Sequence, residues 1–203
     1  LVQPAQLMCV VKADGYNHGA IPVARTVLAN GADQLGVATL AEALELREAG
    51  ITAPILCWIW SPEQDFAAAL DANIHLAVVS MAHAQAIVKY AAGKPEKLVQ
   101  TTIKIDTGLH RSGVDESQWE AVFTLLKDAG TATGNIEVTG VMSHLACADE
   151  PGNPANDTQA AAFNRAIALG RKLGLELPVN HLSNSPAVLT RPDFYHEMVR
   201  PGL

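Results

Sequence analysis

At 203 residues, with 49% hydrophobic and 17% charged content, the chain is long enough to bury one core and reads as a single globular unit, not a disordered one. Its 14 Lys+Arg against 21 Asp+Glu give a formal charge of -7, and the basic residues are scattered, which argues against a nucleic-acid partner. No apolar run approaches the ~20 residues needed to span a bilayer, no secretory leader opens the chain, and Cys9, Cys57 and Cys147 form no C-x-x-C pair. A soluble protein of the reducing cytoplasm, with no membrane partner, is expected.

In chain order, short Val/Ile/Leu-rich runs alternate with Ala-rich stretches of helical period. The predicted strands are Leu7–Val11, Gln34–Val37, Pro54–Trp58, Ile74–Val78, Val99–Ile105, Ile136–Val141, Pro178–His181 and His196–Val199. Between them fall helices over Ile21–Asn30, Leu40–Ala49, Pro62–Asp71, Ala82–Ala91, Glu116–Ala129 and Thr158–Leu173. Ser61, Ser80, Gly31 and Gly50 supply start and stop signals. Asp149–Asp157 is a polar Pro/Gly/Asn loop expected at the sheet's mouth. Eight βα repeats without G-x-G-x-x-G predict an α/β fold, a (β/α)8 TIM-type barrel, over an open doubly wound sheet. The chain starts at Leu1 and stops at Leu203 just after the last strand, so the barrel is expected to be truncated at both ends.

A barrel places its chemistry at the C-terminal ends of its strands. Lys12, Asp14, Tyr16 and His18 follow the first run, Asp106 and Arg111 the fifth, His144 the sixth, Asn184-Ser185 the seventh, and Arg200-Pro201-Gly202 the eighth. The loops after strands seven and eight commonly hold a phosphate, and Asn184-Ser185-Pro186 with Gly202 offers a hydroxyl, a capping side chain and a close backbone. Taken alone, the same residues read more readily as an ordinary helix cap. Lys12 follows five apolar residues, which would set its amine over the barrel interior, where desolvation frees amines to attack carbonyls. Taken alone, a lysine ending a strand is more often a snorkelling surface residue. Barrel closure makes strands one and eight neighbours, and a lysine beside a phosphate site suggests an aldehyde-bearing phosphorylated cofactor.

The segment Val10-Val11-Lys12-Ala13-Asp14-Gly15-Tyr16-Asn17-His18-Gly19 resembles the cofactor-attachment motif of the alanine racemases, Lys-Ala-x-x-Tyr-x-His-Gly. Three more segments follow in that family's order. They are Lys104-x-Asp106-Thr107-Gly108-x-x-Arg111-x-Gly113, Ser143-His144-Leu145-Ala146-Cys147-Ala148-Asp149 and His181-x-Ser183-Asn184-Ser185, with Val199-Arg200-Pro201-Gly202-Leu203 closing. The resemblance implies that residues 1–203 are one barrel domain binding pyridoxal 5'-phosphate, of the fold type III class, without the family's C-terminal β domain. It implies that Lys12 carries the cofactor and serves as the base on the D-face of the substrate. Tyr16, Asn184, Ser185, Gly202 and Leu203 would hold the phosphate end, Arg111 would meet the substrate carboxylate, and His144 would lie beside the ring and steer Arg200.

Arg200 would face the pyridine nitrogen; arginine keeps its proton, so it would leave that nitrogen unprotonated and disfavour transamination. Without the family, Arg200 reads as a partner for Glu197 or Asp193. Lys104 matches a position that some members carry as a carboxylated lysine; an unmodified lysine paired with Asp106 fits equally. Gly15 and Asn17 depart from the family's common Ala and Gly. The family's L-face base is a tyrosine of the additional domain, supplied by a partner subunit. The implied activity is therefore two-base racemisation of alanine, for D-alanine and cell-wall supply, by an intact homodimer, with this fragment alone inactive.

Two other readings remain open at this level. One is a barrel that stores or delivers pyridoxal phosphate without catalysis, which needs neither Tyr16-Asn17-His18-Gly19 nor Arg111. The other is a metal-dependent hydrolase using His144, His181, Asp106 and a carboxylated Lys104, although no His-x-His lies on an early strand.

Overall fold

The computed structural model describes residues 2–202. Strands β1 (Gln6–Val10), β2 (Gln34–Thr39), β3 (Ile55–Ile59), β4 (His75–Val78), β5 (Val99–Lys104), β6 (Ile136–Met142) and β7 (Met198–Val199) form one sheet of order β6-β5-β4-β3-β2-β1-β7, with every pairing parallel. Residues 178–184 join its two edges. The Val179 and His181 N–H groups donate to the Thr139 and Val141 carbonyls of β6, at 2.9 and 3.0 Å. On the other side Asn180 and Ser183 carbonyls accept from Met198 and Arg200 N–H, at 3.2 and 2.9 Å. The ring is thereby closed by eight stretches, the expected (β/α)8 barrel.

The expected seventh strand, Pro178–His181, is present as a path but not as a regular strand, and the eighth shrinks to two residues. Side chains take ladder positions there: Asn180 Oδ1 accepts from Val141 N–H at 3.0 Å, and the Glu197 carboxylate accepts from Asn180 N–H at 2.9 Å. The approach also requires Gly140, since a Cβ there would sit 1.8 Å from the Val179 oxygen.

Seven right-handed helices surround the ring: α2 (Ala20–Ala29), α3 (Leu40–Glu48), α4 (Phe66–Asp71), α5 (Met81–Gly93), α6 (Trp119–Thr133), α7 (Pro154–Lys172) and α8 (Ser185–Thr190). Several boundaries differ from the sequence reading, α6 among them, which runs Trp119–Thr133 rather than Glu116–Ala129. α4 starts at Phe66 rather than Pro62, because Asp65, not Ser61, caps it by accepting from Ala68 N–H. α7 starts at Pro154 under an Asn153 cap, so the second half of the expected Asp149–Asp157 loop is its first turns. Arg191 pins this region, reaching Asp157, Asp193 and the Pro151 carbonyl while its guanidinium stacks 3.7 Å over Phe194.

Two apolar layers result. The larger lies between barrel and helices, around Phe123, Phe163, Leu35, Ile55 and Ile103. The smaller fills the barrel's inside with Met8, Leu56, Ala77, Met142 and Met198. Unbranched methionines suit this interior, whose wall positions alternate along each strand.

Between β1 and α2 the chain makes the short turn α1 (Lys12–Asn17), which is left-handed: Ala13, Asp14, Gly15 and Tyr16 have φ of 50–60° and ψ of 39–54°, and Asn17 has φ 66°. For L-residues this conformation costs ~1–2 kcal/mol each, so it stands only where other bonds hold it. Asp14 Oδ1 accepts from Ala20 N–H at 2.7 Å, Gly15 N–H donates to Val11 O at 3.0 Å, and Glu42 Oε1 accepts from Ala13 N–H at 2.8 Å.

Candidate active site

Strand parity builds the site. Met8 faces the barrel interior, so Val10 and Lys12 continue that face; Leu56 leads to Trp58, Met142 to His144, and Met198 to Arg200 and Gly202. These groups, with Tyr16, Lys104, Arg111, Asn184, Ser185 and Pro186, line one cavity of about 280 Å³ at the C-terminal mouth. Gly36 makes room for the Trp58 indole, since a Cβ there would lie 2.8 Å from Trp58 Cζ3.

The seam between β1 and β7 brings Lys12 and the two predicted phosphate loops together. Val10 N–H donates to Pro201 O at 2.9 Å, and Lys12 Nζ stands 5.8 Å from the Tyr16 ring centre. Ser185 Oγ accepts from Gly202 N–H at 2.8 Å and lies 2.9 Å from the Gly202 oxygen. A Cβ on Gly202 would be 2.5 Å from the Tyr16 hydroxyl, so three hydrogen-bonding groups converge where only glycine fits. Asn184 is the cap of α8, its Oδ1 accepting from Ala187 N–H at 3.4 Å, so the helix-cap reading holds for Asn184 while Ser185 turns to the cavity rim.

Arg200 is 5% exposed and pairs with neither Glu197 nor Asp193, which instead meet Arg171 and Arg191. Its Nη1 donates to His181 Nδ1 at 2.9 Å and to the His181 carbonyl, and its Nη2 donates to the Ser143 and Leu182 carbonyls, at 2.5 and 3.2 Å. Among the described residues its Nε–H has no protein acceptor. Burial lowers the guanidinium to about 10, which leaves it charged. Accepting from Arg200 makes His181 neutral with its proton on Nε2, and burial and then the Arg200 charge hold its pKa far below the usual value. The direct contact to Arg200 is thus His181's, where the sequence reading assigned the steering to His144. His144 feels Arg200 only as charge: burial first, then Arg200, Arg111, Lys104 and Lys12, push it down to about 3.

Lys104 is 6% exposed and makes no ion pair with Asp106. Burial, then Arg111 and Arg200, bring its amine down to about 8, with Asp106 opposing weakly. Asp106 instead holds its own loop, accepting from Gly108 and His110 N–H at 2.8 and 3.1 Å. Asp106 and Val114 close that loop across the backbone at 3.0 Å, and a Cβ on Gly113 would meet Asp106 N at 2.5 Å. Arg111 rides on this loop at the solvent side. With Lys12, Lys104, Arg111 and Arg200 on its walls and no acidic side chain among its lining residues, the cavity suits an anion.

Sequence reasoning missed four contributors. Trp58, Val10 and Met142 were recoverable from parity alone. Gln159, 2% exposed on α7, was not: its Nε2 donates to Thr107 Oγ1 and His144 O at 3.1 and 3.2 Å, and its Oε1 accepts from Ala146 N–H at 2.8 Å, tying the Arg111 and His144 loops together. His18 faces away, its Nδ1 3.1 Å from Gly15 O. Leu203 lies outside the described residues. The hydrolase ligand set does not assemble, because His181 is spent on Arg200, Asp106 on its loop, and no three His, Cys, Asp or Glu cluster among the described residues. No helix among those residues is long and apolar enough to cross a membrane.

Fold and site together define a TIM-type barrel with a cationic mouth suited to an anion and an amine set beside it. The chain belongs to the family described as "Alanine racemase, N-terminal domain", whose model matches residues 1–203. The alanine racemase of Corynebacterium efficiens is 61% identical over 202 residues, covering 100% of this chain and 53% of that protein. The crystal structure of alanine racemase from Corynebacterium glutamicum superposes with a TM-score of 0.92 at 59% identity, over 100% of this chain and 56% of that one. The alanine racemase from Bartonella henselae, solved with covalently bound pyridoxal phosphate, superposes with a TM-score of 0.86 at 26% identity over 99% and 56%. The chain spans about half the length of the relatives it matches.

Proposed function

We propose that residues 1–203 are the cofactor-binding barrel of an alanine racemase, which holds pyridoxal 5'-phosphate in the cavity described and interconverts L- and D-alanine in the intact, homodimeric, cytoplasmic enzyme. One observation carries the reading: the Lys12 amine, the Tyr16–Ser185–Gly202 cluster and the buried Arg200 meet in one cavity across the β1–β7 seam. The residues fit such a cofactor. The converging groups at Gly202 suit a phosphate, and the unpartnered Nε–H of Arg200 suits a ring acceptor.

Bound there, pyridoxal phosphate supplies an aldehyde for an amine and a ring that acidifies the substrate Cα–H. Lys12 would anchor it and, once released, take or return the proton at Cα from the D-face. Arg200 offers a donor that cannot give up its proton, keeping a ring nitrogen unprotonated and favouring return of the proton over transamination. Arg111, at the open side, would orient the substrate carboxylate. Of the three tyrosines, Tyr90 gives its hydroxyl to Asp71 and Tyr195 to the Val188 carbonyl, and neither lines the cavity. The L-face base is therefore assigned to the remainder of the intact enzyme, and this chain alone is expected to be inactive.

The test is twofold. Borohydride reduction in the presence of the cofactor should fix an adduct on Lys12, located by peptide mass mapping and absent from Lys12→Ala. Circular dichroism of L-alanine with the intact enzyme should decay to zero; an unchanged signal would identify a carrier. An adduct that persists in Lys12→Ala would remove Lys12 from its role.

A further inference from the structure

We propose that Glu42, outside the cavity, is a positioning residue for Lys12, its carboxylate tying the end of β1 to the start of α3. The inference rests on Lys12 being the amine that takes the cofactor.

Glu42 closes a capping box: Oε2 accepts from Thr39 N–H at 2.9 Å, while Thr39 Oγ1 accepts from Glu42 N–H. Oε2 also accepts from Ala38 N–H at 2.8 Å. The helix needs nothing more. Yet Oε1 reaches across 29 residues to accept from Ala13 N–H at 2.8 Å. Ala13 directly follows Lys12 and is the first residue of the left-handed run that ends in Tyr16 and Asn17. One carboxylate thereby clamps the C-terminal ends of two adjacent strands, at the point where the chain leaves β1 and reverses its hand. With Ala13 released, the turn can relax toward ordinary φ, and both Lys12 and Tyr16 move, because one precedes and the other belongs to it. A bond to an ionised acceptor is among the strong ones, which suits it to hold a conformation the chain otherwise avoids.

The experiment compares Glu42→Gln with Thr39→Ala in the intact enzyme supplied with pyridoxal phosphate. The amide offers one acceptor oxygen and sets an NH2 against a backbone donor, so it cannot serve both strand ends. Thr39→Ala weakens the same helix cap but leaves the Ala13 bond intact. Three quantities are read: thermal stability, exchange of the Ala13 amide proton, and the rate at which a borohydride-fixed adduct forms on Lys12. For Glu42→Gln we expect faster Ala13 exchange, adduct formation slowed about tenfold or more, and kcat reduced more than KM, as misplacement of a reacting group produces. Thr39→Ala is expected to lose comparable stability with wild-type adduct formation. Should Glu42→Gln not yield folded protein, Glu42→Asp, one methylene too short to reach both ends, carries the same expectation. Wild-type adduct formation in the Glu42 variants, or an equal loss in Thr39→Ala, overturns the proposal while leaving the role of Lys12 intact. Absence of any Lys12 adduct in the wild-type enzyme sinks the underlying reading, and this inference with it.

Discussion

Lys104→Met removes a cation that the cavity works against. The Lys104 amine is brought from 10.5 to about 8 by burial, then by Arg111 and Arg200. At ~1.4 kcal/mol per pH unit, a gap of that size corresponds to about 3 kcal/mol of folding free energy. Below about 8 both folded and unfolded chains carry the proton, and the folded state bears the whole penalty. Between about 8 and 10.5 only the unfolded chain still holds it, so stability climbs with pH; above 10.5 both are neutral and the penalty is gone. Methionine, one atom shorter, keeps most of the unbranched apolar stem without the charge. Urea unfolding of wild type and Lys104→Met should show the variant more stable by about 3 kcal/mol at neutral pH, with the difference closing as pH approaches 10.5. A pH-independent difference, or a variant less stable at neutral pH, refutes the argument. The second outcome is what a carboxylated lysine between Arg111 and Arg200 would give, and intact mass would then show the added CO2.

His144 behaves as the acid-side counterpart. Its pKa falls from 6.5 to about 3, so between those values the unfolded chain binds a proton the folded one refuses, and stability drops as pH falls. Relative to wild type, His144→Gln should lose up to ~1.4 kcal/mol less per pH unit below 6.5 in denaturant titrations, and parallel curves would contradict this. Gly202→Ala puts a Cβ 2.5 Å from the Tyr16 hydroxyl. Fluorescence titration with pyridoxal phosphate should show affinity weakened about tenfold or more, the worth of one hydrogen bond to a charged group, and an unchanged affinity would separate Gly202 from the phosphate site. Gln159→Leu strands Ala146 N–H and the His144 carbonyl and should cost about 3 kcal/mol in urea unfolding. A loss of roughly 0.5 kcal/mol, the level of a surface substitution, would show that the loops are tied by something else.

Much of this protein follows from its sequence by itself. Short, near-continuous apolar runs separated by helical stretches specify a parallel barrel, and the residues just past each run are the ones that face its mouth, because side chains alternate along a strand whatever the rest of the fold does. Lys12, Arg111, His144, Ser185 and Arg200 were legible on that ground, and Trp58, Val10 and Met142 would have been had the parity been followed along the ends of the strands themselves.

Tertiary structure alone decided what depends on groups far apart in sequence. No local signal announces that Pro178–His181 surrenders its ladder to the Asn180 and Glu197 side chains, that His181 takes the Arg200 contact, or that Lys104 lies unpaired from Asp106. Nor does local sequence give Gln159 and Glu42 their reach to loops 15 and 29 residues away. Backbone preference and periodicity are properties of neighbours along the chain. Hydrogen-bond partners and shifted pKa values belong to neighbours in space, and only closure of the barrel makes them neighbours.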